Sequence, residues 1–166
     1  MSLNNIQLEE IAVQQLYKNS LVEINSSKKE NKKTTSEALT FLGKNLKKIG
    51  LIVSNSEAAF LSDEELNFLL GILSACKLNM DDVAIVNLEK NKGMHYEKLS
   101  KELHAEKIFL FGVKPDHINL PLSFPPYQVQ QFNSQVYLSA PSLIQLQHDK
   151  AEKTKLWNCL KKIFSI

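Results

Sequence analysis

Three short, continuous apolar runs separated by helical patterns set the strongest limit on what this chain can fold into. They are Ile49-Gly50-Leu51-Ile52-Val53-Ser54, Val83-Ala84-Ile85-Val86-Asn87-Leu88 and Lys107-Ile108-Phe109-Leu110-Phe111-Gly112-Val113. Runs without polar alternation suit strands buried on both faces, the usual state of a parallel sheet. Between the first two, residues 62–77 read as a helix. Ser62 stands at the N-cap, Glu65 completes a capping box three positions on, and Leu61 can staple to Leu66. Leu66, Leu69, Leu70, Leu73 and Cys76 form its expected buried stripe. Tyr96, Leu99 and Leu103 mark a second helix between the second and third runs. A β-α-β-α-β order implies an α/β fold with three α/β/α layers and a mostly parallel central sheet.

After Gly112 the pattern breaks into Leu120-Pro121-Leu122-Ser123-Phe124-Pro125-Pro126, whose prolines prevent regular structure. Residues 127–132 and 135–140 are expected to be extended, with Asn133-Ser134 as the turn between them. The second strand runs into Ala140-Pro141-Ser142, a short turn-forming segment and a closing amphipathic helix. Asp149 is its expected N-cap, with Glu152 placed to reach back. Leu156, Trp157, Leu160, Ile163 and Phe164 recur on one helical face, and Lys161 and Lys162 sit at the negative end of the helix dipole.

A chain of 166 residues suits one domain with an extension, and 43% hydrophobic content suffices for a core. The predicted organisation has three parts: a tethered apolar interaction segment over residues 1–25, a flexible lysine-rich linker over 26–37, and a single α/β domain over 38–166. The linker, with four lysines and no apolar residue between Ser26 and Ser36, cannot support packing. The apolar segment before it either folds back as an added helix or edge strand, or serves as a short linear motif for a partner. The formal charge is only +2, and all 20 basic residues are lysine. Lack of arginine argues against dedicated bidentate phosphate or guanine recognition. Cys76 and Cys159 lie in apolar helical patterns and read as buried thiols of a reducing compartment. No apolar run approaches the roughly 20 residues of a membrane span, and no signal-peptide core is seen, so a cytoplasmic protein without membrane contact is expected.

In open α/β folds ligands bind beyond the carboxyl ends of the strands, which directs attention to residues 55–60, 89–94, 114–126 and 140–147. None carries a glycine-rich phosphate cradle or a nucleophile elbow. His95, His104, His117 and His148 are too widely spaced to suggest a zinc site. Asp81-Asp82 reads as a turn former rather than a catalytic pair. Lys90 and Lys92 offer at most a weak phosphate contact. No catalytic constellation, cofactor or metal is expected.

Two resemblances arise from these residues. The order strand, helix, strand, helix, strand, then strand–Ala140-Pro141-Ser142–helix with Leu156-Trp157 resembles the uracil-DNA glycosylase superfamily. There the late motif reads His-Pro-Ser and a Leu-Trp helix follows, so Ala140 stands in place of the histidine that supports the departing uracil anion. The early acidic, water-activating loop of that superfamily has no counterpart in Ser54-Asn55-Ser56-Glu57-Ala58-Ala59-Phe60. The resemblance therefore implies a uracil-DNA glycosylase-like fold with a vestigial turn at Ala140, Pro141 and Ser142, and no glycosylase activity.

The chain also resembles the psi-subunit family of bacterial DNA polymerase III, non-enzymatic clamp-loader accessory proteins with a related fold. The similarity lies in the stretch from Leu61-Ser62-Asp63 to Glu89-Lys90, in Ser139-Ala140-Pro141-Ser142-Leu143 through Trp157, and in Leu8-Glu9-Glu10-Ile11-Ala12-Val13-Gln14-Gln15-Leu16. Leu16 stands where that family has Trp and Ala12 where it has Gly. The resemblance implies that Leu8, Ile11, Val13, Leu16 and Tyr17 bind clamp-loader subunits, while the domain meets a second, chi-like or other replisome protein. Direct DNA contact is expected to be weak or absent. The rival expectations are a divergent glycosylase that repairs DNA, and a weak single-stranded DNA binder using Lys90, Lys92, Lys98 and Lys101.

Overall fold

The computed structural model describes residues 38–166. The expected partner-binding residues Leu8, Ile11, Val13, Leu16 and Tyr17, the segment 1–25 and the linker 26–37 lie outside the described residues. The three apolar runs form β1 (Ile49–Val53), β2 (Val83–Asn87) and β3 (Lys107–Phe111). Two further strands, β4 (Gln130–Phe132) and β5 (Gln135–Ala140), complete a five-stranded sheet in the order β2-β1-β3-β5-β4. The pairs β1–β2, β1–β3 and β3–β5 are parallel, and only the edge strand β4 runs antiparallel. In register, Leu51 lies between Ile85 and Phe109, and Phe109 pairs onward with Leu138. The α/β class and the mostly parallel sheet thus agree with the sequence reading.

Side chains alternate across this sheet because a strand's period is two. Ile49, Leu51, Val53, Val83, Ile85, Phe109, Phe111, Leu138 and Ala140 enter one core. Ile52, Ala84, Val86, Ile108, Leu110 and Tyr137 enter the other. The first core is covered by α1 (Asp63–Ala75), α3 (Leu143–His148) and α4 (Lys150–Phe164). The second is covered by α2 (Tyr96–Leu103) and by the irregular stretch that places Val113, Ile118, Leu120 and Phe124 under the sheet. Crossovers of one hand explain this division. The chain steps outward from β1 to β2, then returns past β1 to β3, and opposite steps put their connections on opposite faces.

Local chemistry sets the helix boundaries. Ser62 Oγ accepts from the Glu65 N–H, and the Glu65 carboxylate accepts from the Ser62 N–H in return. The stripe of α1 differs at one position: Leu69, Leu73 and Cys76 are buried and Leu66 half-buried, whereas Leu70 is exposed. Glu65, Leu69, Leu73 and Cys76 recur every three or four residues, so the inward line passes beside Leu70. Asn133 and Ser134 both adopt positive φ (47° and 62°), joining β4 to β5 through a two-residue turn of the kind that matches strand twist.

The closing stretch is two helices rather than a turn and a helix. Ser142 caps α3 in a reciprocal box with Gln145, and Asp149 caps α4 by accepting from the N–H groups of Ala151 and Glu152. Glu152 does not reach back to that cap: its carboxylate accepts instead from the Tyr127 hydroxyl and from Lys155 Nζ.

Candidate functional site

The strand order reverses between β1 and β3, so the carboxyl ends of these strands mark where an open α/β sheet offers a crevice. The loop after β1 is held there by Asn87, a fully buried amide at the end of β2. Its Nδ2 group lies 2.7, 3.1 and 3.2 Å from the carbonyls of Asn55, Ala58 and Ala59. Its Oδ1 accepts from the N–H groups of Asn55 and Glu89. Asn55 in turn accepts from the N–H groups of Glu57 and Ala58, and donates from Nδ2 to Glu65 at 2.8 Å. One oxygen of Glu65, Oε2, receives Asn55 Nδ2, the Ser62 N–H and Ser62 Oγ. A carboxylate oxygen so engaged is a poor general base, because its lone pairs already serve the fold.

On the other side of the switch point, Ala140 is buried at the end of β5, and the Gly112 N–H donates to its carbonyl. Gly112 has φ +67°, and a Cβ there would lie 2.9 Å from Ser142 Cβ. Only glycine permits this approach of the turn after β3 to the start of α3. Pro141 and Ser142 are half-buried, and the Ser142 hydroxyl is committed to capping α3. The structure therefore brings Ala140, Pro141 and Ser142 beside Gly112, where they close a turn.

A polar cleft lined by Pro141, Gln145, Asp149 and Glu152 opens next to this turn. Tyr127 donates its hydroxyl to Glu152, its N–H bonds the Ser139 carbonyl, and Cys159 Sγ lies 3.2 Å from its carbonyl. Burial, and then the Glu152 carboxylate, push the Tyr127 phenol well above its ordinary range. The hydrogen bond from Lys155, then that from Tyr127, hold Glu152 below the usual carboxylate range. These groups sew the loop at residue 127 to β5 and α4.

The third feature is apolar. Between α1 and α4 lies an open groove of about 230 Å³, with Phe68, Gly71, Ile72 and Ala75 on one wall and Leu156, Trp157 and Leu160 on the other. Trp157 is half-buried and lines this groove, with its indole beneath Lys161 Nζ.

The remaining sequence candidates are dispersed. All four histidines are exposed, His95 and His104 flanking α2, His117 in the 3-10 turn Pro115–Ile118, and His148 closing α3. Asp82 accepts from the Asn79 N–H in a capping box and Asp81 pairs with Lys44, so both are turn formers as expected. Lys90 donates to the Ser56 carbonyl at 3.0 Å, while Lys92 and Lys101 are exposed. Phe60 is half-buried against the first core. Both cysteines are buried free thiols, each pushed up by burial. Among the described residues, no group of three or more His, Cys, Asp or Glu side chains is arranged to hold a metal ion, and no helix is long and apolar enough to cross a membrane.

The reading of the sequence missed Asn87 and the groove. One polar residue in an otherwise apolar strand was the signal for Asn87. A lone glycine inside a helix, Gly71, was the signal for the groove. The sequence matches no protein-family model, and no curated protein matches it.

Proposed function

We propose that this protein is a non-enzymatic accessory protein of DNA replication, similar to the psi subunit of bacterial DNA polymerase III and built on a uracil-DNA glycosylase-like fold. Its residues 1–25 would engage clamp-loader subunits through Leu8, Ile11, Val13, Leu16 and Tyr17. Its α/β domain would carry a chi-like or other replisome partner.

One observation carries the reading. The chain runs strand, helix, strand, helix, strand, then from a buried Ala140 through Pro141-Ser142 into two helices, the second of which carries Leu156-Trp157. The position that a glycosylase gives to a histidine has no ionisable group. In the loop after β1, Asn55 is bonded to Asn87 and Glu65 and Ser54 to Glu89, while Glu57 is exposed. General-base and oxyanion assistance need free, aimed groups. An interaction scaffold needs none, only a stable surface.

The test is a pull-down with purified clamp-loader subunits, using the full chain and a version that lacks residues 1–25. Retention of the full chain and loss of the shortened one is the expected result. Equal retention of both would remove the tether, and retention of neither would remove the family reading.

A further inference from the structure

We propose that the groove between α1 and α4 docks an amphipathic α-helix of a partner protein, with an apolar ridge and acidic residues on the flank that faces α4. This names the chemistry of the second partner and rests on the accessory-protein reading.

The size of the groove limits the occupant first. Small-molecule sites enclose roughly 300–1,000 Å³ and bury most of the ligand. About 230 Å³ in an open groove is too little for that, yet it suits two or three side chains projecting from one face of a helix. The shape of the floor then favours a helix as the occupant. Gly71 lies mid-helix on α1, and a Cβ added there would meet nothing within 4 Å. With Ala75 one turn further on, α1 presents a dent into which a neighbouring helix can settle closely.

Charge decides the flank. Lys153 Nζ lies 5.5 Å from the ring centroid of Phe68, and Lys161 Nζ lies 6.0 Å from that of Trp157. Both lysines belong to α4: Lys153 lines the groove and reaches over Phe68 of the facing wall, and Lys161, about 80° further round the helix, lies over Trp157. Neither forms an ion pair among the described residues, unlike Lys155, which pairs with Glu152. The opposite wall, Phe68, Gly71, Ile72 and Ala75, has no charge. The cations at the groove are therefore all supplied from the α4 side. An occupant with acidic residues along that side gains both attraction and a fixed orientation, whereas a basic one is repelled.

The test is selection of peptides from a displayed library of 18-residue amphipathic helices against the full chain. The expected enrichment has apolar residues at i, i+4 and i+7 with Asp or Glu on one flank. Bound peptide should shift backbone amide signals of α1 and α4. Gly71→Leu fills the dent at an open, exposed position and should weaken binding roughly 30-fold or more, as blocking a hot-spot pocket does. Gly71→Ala should leave binding within a few-fold. The double change Lys153→Glu and Lys161→Glu should turn the preference toward basic flanks.

Four outcomes would overturn the proposal: no enrichment, enrichment without acidic bias, equal binding to Gly71→Leu, or a groove occupied by a second copy of the chain in sedimentation. Gly71→Leu should not alter the capture by clamp-loader subunits that depends on residues 1–25. Failure at the groove is thereby distinguished from failure of the replication reading.

Discussion

The side chain of Asn87 stands fully buried at the end of β2, within hydrogen-bonding distance of three carbonyls and two N–H groups of the loops around it. Losing it leaves those part-buried groups without their partner, and each one that water does not reach costs about 1–3 kcal/mol. Asn87→Ala is expected to lower unfolding free energy by roughly 3 kcal/mol in urea denaturation, beyond the typical cost of a point change. A loss below about 0.5 kcal/mol would mean that the loop repairs itself with water.

The Tyr127–Glu152 pair makes a second prediction at this scale, and its sign can be worked out at both ends of the pH range. Glu152 has its folded pKa below the ordinary 4.5, so its contribution is present above that value and lost as pH falls through the folded pKa. Tyr127 has its folded pKa above the ordinary 10, so its contribution is present below that value and lost as pH rises. Glu152→Gln should flatten the acid limb of stability against pH, and Tyr127→Phe the alkaline limb. Denaturation at stepped pH measures both, and unchanged limbs would refute the pairing.

Elements were legible where their signals are local. The runs at residues 49–54, 83–88 and 107–113 became strands because unbroken apolar stretches of that length bury best in a parallel sheet. Ser62 and Glu65 announced the start of α1, and Asp149 that of α4. By contrast, α3 has six residues, too few for a period of 3.6 to repeat, and its Ser142–Gln145 box passed as a turn. Ser142→Ala is expected to cost about 1 kcal/mol, because it removes the cap yet keeps the Cβ that rests against Gly112. Gly71→Ala should act in the opposite direction, adding about 0.5–1 kcal/mol, since Gly71 lies in an open helix interior. Thermal unfolding of the two variants compares them directly, and a destabilised Gly71→Ala would show that a glycine backbone is needed there.

For the whole molecule the expectation concerns chemistry at the carboxyl ends of the strands. Ala140 is buried and without a proton to give, and Glu65 is engaged by three donors. No free base above the buffer blank is expected from uracil- or hypoxanthine-containing DNA incubated with the full chain. Release of base that Glu65→Gln abolishes would return the protein to the glycosylases. Any affinity for single-stranded DNA through Lys90, Lys92, Lys98 and Lys101 should fall steeply with salt, because phosphate contacts release counterions.

By itself the sequence determined which segments become strands and helices, the parallel character of the sheet, and the alanine at the turn after β5. These follow from apolar runs, caps and residue identity, all encoded within a few neighbours. Only the tertiary structure decided the order β2-β1-β3-β5-β4 and the reach of Asn87 from β2 to the loop after β1. It also decided that Trp157, expected to be part of a closing apolar face, would share an open groove with Gly71. Residues 71 and 157 are separated by most of the domain, and no local pattern states the distance between two helices that lie on the same face of a sheet. That distance is set by the strands beneath them, and here it leaves the groove open.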